Sequence, residues 1–192
     1  TAEAGDLPEW NLTHRQLCDV ELLLNGGFSP LTGFLTRSDY ESVRDNMRLV
    51  DGTLWPMPVT LDVSQEFADR LGDASAEQPA RIALRDAEYC LIGVMEVTDI
   101  WHPDKSLEAE RVFGSDDVAH PGVAYLHHHA GDVYLGGRVL GLTSPTYYDF
   151  KHLRNSPQQL RDFFEKVGWT RIVAFQTRNP MHRAHQELTF RA

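Results

Sequence analysis

Gln176, Thr177, Arg178, Asn179, His182 and His185 fall within ten residues, and their types and spacing suit the handling of an anion. Arg178 offers a planar fork of donors matched to a tetrahedral oxyanion. Gln176, Thr177 and Asn179 are neutral groups able to orient such a ligand. His182 and His185 lie three apart, on one face of a first helical turn. Two imidazoles so placed can donate to phosphate oxygens or ligate a metal.

Three elements must position these groups. Residues 171–175, Arg-Ile-Val-Ala-Phe, form a short, nearly continuous apolar run, the pattern of a strand buried on both faces. The polar turn follows, and a helix begins near Met181. Strand, turn and helix make the first unit of an open parallel α/β sheet, where ligands bind at the carboxyl ends of the strands. The free N–H groups and dipole of the following helix favour an anion.

Other clusters carry less. His127, His128 and His129 are consecutive, so on a helix they point in different directions and cannot all hold one ion. The segment from Gly131 to Gly137 lacks the spacing and lysine of a P-loop, and it lacks G-x-G-x-x-G. It reads as barrel geometry. Asp39, Glu41, Glu108 and Glu110 fit solvated helix faces, and Trp10, Trp55, Trp101 and Trp169 read as packing residues. Cys18 and Cys90 read as two buried thiols of a cytosolic protein, since two separated cysteines make no disulfide framework.

The chain of 192 residues is long enough for one full domain or one domain and part of another. Acidic residues outnumber basic ones 28 to 18, a net charge of −10, which argues against a nucleic-acid partner. No apolar run reaches the ~18 residues of a membrane span, and the N-terminus has no signal-peptide pattern.

Local signals mark the frame. Thr13-x-x-Gln16 opens a helix carrying Leu17, Val20 and Leu24, and Gly26-Gly27 stops it. Residues 28–35 read as a packed loop, and Ser38-x-x-Glu41 as the start of a second helix. Met57, Val59, Leu61 and Val63 alternate as in a half-buried strand. Ser64 opens a short helix. Residues 81–84 and 89–97 form a hairpin. Residues 106–113 form a charged helix closed by Gly114. Residues 133–142 form a strand in which Gly136, Gly137 and Gly141 predict bulges or sharp bends. Ser156-Pro157-x-Gln159 opens a helix whose apolar face is Leu160, Phe163, Phe164 and Val167, with Gly168 at its end. Short strands mixed with small helices point to an α+β or barrel-like domain over residues 1–150, followed by the α/β unit.

The segment from Gln176 to His185, Gln-Thr-Arg-Asn-Pro-Met-His-Arg-Ala-His, resembles the signature of the ATP sulfurylase family. The block Gly26-Gly27-Phe28-Ser29-Pro30-Leu31-Thr32-Gly33-Phe34-Leu35, the run Asp51 to Pro56, the run Glu108 to Gly114 and the glycine-rich segment from Gly131 resemble the same family, so the likeness covers the chain from about residue 8.

The resemblance implies a PUA-like β-barrel domain with a connecting helix over residues 1–168. Residues 169–192 would then be the first strand, turn and helix of a Rossmann-like nucleotidyltransferase domain. It implies that MgATP and sulfate give adenosine 5′-phosphosulfate and pyrophosphate. Gln176 and Arg178 would bind sulfate. Gln176, Thr177, Arg178 and Asn179 would contact ATP phosphates, with His182 and His185 stabilising developing charge. Mg²⁺ would arrive with ATP, no metal would be held by the protein itself, and the protein would be a cytoplasmic homo-oligomer. The family's later motifs are missing, and a lone parallel strand cannot satisfy its backbone. The chain is therefore expected to be part of a longer enzyme, with little activity alone. The competing readings are a non-catalytic PUA-like binding or scaffold module and a metal-dependent hydrolase built on His182 and His185. The second lacks a carboxylate at a fitting spacing.

Overall fold

A computed structural model describes residues 5–143, 145 and 147–192. They divide into two compact units, Thr1–Lys151 and His152–Ala192.

The first unit is α+β. Its elements are β1 (Glu9–Asn11), α1 (His14–Asn25), β2 (Gly33–Phe34), α2 (Arg37–Asn46), β3 (Leu61–Val63), α3 (Gln65–Asp69), β4 (Ala80–Arg85), β5 (Leu91–Trp101), α4 (Lys105–Glu108), α5 (Pro121–His128) and β6 (Val133–Gly141). A six-stranded sheet runs β1-β4-β5-β6-β2, and β3 also pairs with β6. Only β1–β4 is parallel; the remaining pairs are antiparallel. The register of β5 on β6 shifts between Val97 and Asp99, opposite Gly136 and Gly137, where the glycines predict a bulge.

Crowding explains those glycines. A Cβ on Gly33 would lie 2.0 Å from the Gly137 carbonyl oxygen, and one on Gly137 would lie 2.0 Å from that of Glu96. Gly137 also has φ 148°, which L side chains rarely adopt. β2, β6 and β5 thus meet backbone to backbone at one corner.

The helix caps follow the sequence closely. Thr13 and Gln16 form a reciprocal capping box, and Gly26 closes α1 in the left-handed conformation. Ser64 caps α3. Three readings need correction, and one helix was not foreseen. α2 is capped by Thr36, two residues before Ser38, because the Thr36 hydroxyl accepts the Asp39 N–H. The alternating run from Met57 yields a strand only at residues 61–63, and all three are buried, so it is no half-exposed edge. The charged helix is α-helical for four residues, then widens to a π-helical turn, Ala109–Phe113, before Gly114. α5, which has no strong periodic signal, is capped by the His120 imidazole with Pro121 in its first turn.

Val20, Leu61, Phe67, Ile82, Leu84, Met95 and Leu135 make the main core. A second cluster joins Tyr40, Leu49, Trp101 and Tyr134. Two buried acids thread between them. Asp62 takes hydrogen bonds from Gln16 Nε2 to both its carbonyl (2.7 Å) and its Oδ1 (3.1 Å), from Arg15 to Oδ1 (3.2 Å), and from the Gly131 N–H to Oδ2 (2.8 Å). Gln16, a capping residue by sequence, therefore also ties α1 to β3. Glu108 is 7% exposed, not on a solvated face. Its Oε2 accepts the hydroxyls of Tyr40 (2.9 Å) and Tyr134 (3.0 Å). Burial raises the Glu108 carboxyl above its ordinary range, against the pull of those two hydroxyls. Cys18 and Cys90 are free and exposed, not buried.

The second unit holds α6 (Pro157–Lys166) and α7 (Arg183–Arg191), and neither helix buries a residue. Ser156 and Gln159 form the capping box that opens α6. Trp169 is 58% exposed and touches the rings of Phe163 and Phe164. Residues 171–175 form no strand. They are exposed, with Val173 at 69%, because a parallel strand needs a ladder partner and none lies beside them among the described residues.

Candidate functional site

The turn and the start of α7 bring the six polar residues into one short stretch. Thr177 is half-buried, and its hydroxyl both accepts the Asn179 N–H and donates to the Asn179 carbonyl, each at 3.1 Å. This closes the turn on itself and leaves the side chains of Gln176, Arg178 and Asn179 exposed. Among the described residues no carboxylate engages Arg178, so its guanidinium fork is available to a ligand.

α7 begins at Arg183, two residues later than the sequence reading. His182 is its N-cap, with extended backbone (φ −127°, ψ 176°), and its side chain makes no capping bond. The first N–H groups of α7 therefore take no acceptor from the N-cap side chain, an arrangement suited to an anion. Met181, His182, Arg183 and Gln186 line an open concavity at this end of the helix.

The two imidazoles come together. The rings of His182 and His185 are stacked, with centroids 3.8 Å apart and planes at 26°. The Phe175 ring lies 5.5 Å from that of His185, so the end of the apolar run touches the start of the helix across the turn. His185 Nδ1 is buried and has no hydrogen-bond partner among the described residues. Arg183 adds a cation at the rim, a part the sequence reading left unassigned although the residue stands between the histidines.

Residues 176–186 contain no Asp or Glu. Nothing in the stretch repels an anion, and nothing in it offers a carboxylate to Mg²⁺. The histidine triplet of α5 is not a second centre. His127 Nε2 is hydrogen-bonded to Asp116 Oδ1 at 2.5 Å and α5 ends at His128, so that ring nitrogen already has a partner.

Comparison with known proteins extends this picture. The family model of the PUA-like domain matches residues 1–144, and that of ATP-sulfurylase matches residues 151–192. A sulfate adenylyltransferase of Mycosarcoma maydis is 54% identical over 99% of this chain, which spans 33% of that protein. One from Eremothecium gossypii is 54% identical over 99% of the chain and 37% of its own length. One from Saccharomyces cerevisiae is 51% identical over the whole chain and 36% of its own length. The solved structure described as hexameric APS kinase from Thiobacillus denitrificans superposes with a TM-score of 0.75 at 34% identity, covering 99% of this chain and 32% of that one. The chain thus spans about a third of the relatives it matches.

Proposed function

The chain belongs to the ATP-sulfurylase family, and we propose that the protein containing it is a sulfate adenylyltransferase, converting MgATP and sulfate to adenosine 5′-phosphosulfate and pyrophosphate. The observation that carries this reading is the exposed polar stretch 176–185, in which Arg178 has no partner among the described residues, in front of a helix start that lacks a side-chain cap.

The chemistry asks for positioning more than proton transfer. Sulfate already carries its charge, so no general base is required. One sulfate oxygen attacks the α-phosphorus of ATP in line, and the bond from that phosphorus to the bridging oxygen breaks, releasing pyrophosphate. Two anions must be held at contact distance, and charge that builds on the leaving phosphates must be offset. Arg178 and Gln176 hold sulfate. Gln176, Thr177, Arg178 and Asn179 orient the ATP phosphates. His182 and His185, already stacked, donate to the phosphate oxygens as charge builds. A magnesium ion arriving with ATP would help to offset that charge.

We further propose that residues 169–192 open a Rossmann-like catalytic domain in which 171–175 becomes its first strand, and that residues 1–168 are a PUA-like barrel with its connecting helix. The Leu35 N–H donating to Val59 (3.0 Å), which draws the end of β2 toward the approach to β3, supports the barrel. The free, exposed thiols of Cys18 and Cys90 support a reducing, cytoplasmic setting. The likeness to a structure described as hexameric supports a homo-oligomer.

Sulfate-dependent pyrophosphate release from MgATP by the natural protein, with intact mass recorded on the same sample, tests the proposal. Oxyanion-dependent release is expected. A full-length protein that releases none would instead be a PUA-like binding module.

A further inference from the structure

The N-terminal unit contains a second cluster of ligating groups, unrelated in chemistry to the polar turn. The groove that holds it is lined by His14, Leu17 and Cys18 of α1 and by Asp86, Glu88 and Cys90 of the turn between β4 and β5. The ligating atoms of Asp86, Glu88 and Cys90 lie within 4.8 Å of one another. One ion at the ~2.0–2.3 Å typical of Zn²⁺–O and Zn²⁺–S bonds can span such a set. The turn is held in shape from inside. Asp86 Oδ1 accepts the N–H groups of Glu88 (2.9 Å) and Cys90 (2.8 Å), which leaves Oδ2 of Asp86 and both oxygens of Glu88 for a ligand.

A separate pair of donors lines the same groove from α1. His14 Nδ1 and Cys18 Sγ, one helical turn apart, sit 4.0 Å from each other. No Lys or Arg is among the residues lining the groove, and Arg85 beside it donates to the Tyr89 carbonyl and to Glu9. The donor set of the turn mixes thiol sulfur and carboxylate oxygen. Hard cations such as Mg²⁺ and Ca²⁺ select oxygen alone, whereas Zn²⁺ accepts this mixture.

We propose that this groove binds a thiophilic divalent cation of the zinc class through Asp86, Glu88 and Cys90, with solvent completing the coordination. As the metal–sulfur bond forms, the Cys90 thiol releases its proton to solvent. The site is distinct from the magnesium that travels with ATP, in both ligand chemistry and residues.

The test uses the natural full-length protein, stripped with a chelator and titrated with Zn²⁺ against a chromophoric competitor, and with Co²⁺ as a spectroscopic probe. The expected result is one tight Zn²⁺ equivalent and a thiolate-to-cobalt charge-transfer band. Cys90→Ser should abolish the band and weaken Zn²⁺ by at least ~100-fold, the upper end of what loss of an outer-shell partner costs. Cys90 is exposed, so the serine variant should fold, which its unchanged circular dichroism would verify. Glu88→Gln should keep the band while lowering affinity, and millimolar Mg²⁺ should not displace Zn²⁺. Absence of the band, or a Cys90→Ser protein that binds Zn²⁺ as tightly as the parent, would overturn the assignment.

Discussion

The two units solve opposite problems. In the first, buried Asp62 has four hydrogen bonds, buried Glu108 has two, and α1, α2 and α3 each begin with a side-chain cap. In the second, α7 starts without a side-chain cap, Arg178 is unengaged, and large apolar side chains such as Val173 and Phe190 face outward. The interior of the first unit spends its polar groups on itself. In the second, the stretch around Arg178 and the start of α7 keep theirs available to ligands. Groups that bind substrate must stay unsatisfied until it arrives, and such groups add little to folding. Stability and chemistry are therefore assigned to different stretches of chain, and substitutions should separate them.

The largest effect is expected at Arg178. Arg178→Lys keeps the charge and loses the fork, and sulfate turnover of the full-length protein should fall by about 100-fold or more, with an unchanged melting temperature. Turnover near that of the parent would remove Arg178 from the sulfate site. A lowered melting temperature would break the contrast drawn here.

Glu108→Ala is the reciprocal case. It leaves two buried tyrosine hydroxyls without an acceptor, and should lower stability by about 2–4 kcal/mol in denaturant titration. Glu108→Gln retains an acceptor oxygen and should remain close to the parent. The two also differ in pH dependence. Because folding raises the Glu108 carboxyl above its ordinary value of 4.5, its contribution is fully present below that value. It is lost as pH rises through the raised, folded-state value. The Gln variant should lack this component, and a parent-like slope in it would place the titration elsewhere.

His182→Asn should lower kcat by about 10- to 100-fold and leave ATP affinity nearly intact, which separate kcat and Kd measurements resolve. Equal losses would make His182 a binding residue only. The smallest test concerns two caps with the same chemistry. Thr13→Ala and Ser156→Ala each remove a capping box, worth about 1 kcal/mol. The first should lower global stability. The second should raise hydrogen exchange in α6 without moving the melting temperature of the first unit.

Local signals were the legible part of the fold. Thr13 with Gln16, Ser64, Gly26, and Ser156 with Gln159 mark element ends because each cap involves residues a few positions apart. The β4–β5 hairpin is similarly local. Non-local partners were not legible. Glu108 looked solvent-facing because its two hydroxyl donors lie 68 and 26 residues away. The apolar run 171–175 carries the composition of a buried strand, yet a ladder needs a neighbour that periodicity does not contain. At the site, residue types and spacing placed the six polar groups together. The ring stacking of His182 on His185 and the bare start of α7 came only from backbone geometry.

The corner where β2, β5 and β6 meet has a consequence for variation in living cells. Gly33 and Gly137 have no room for even a methyl group, and both lie in the unit that carries the fold. A substitution at either position should be felt during biogenesis. Cells would contain less of the protein because quality control removes it, while molecules that escape would turn over substrate at the ordinary rate. Activity lost through such a variant would then be restored by a stronger promoter or a cooler incubator, whereas activity lost through a change at Arg178 would be restored by neither.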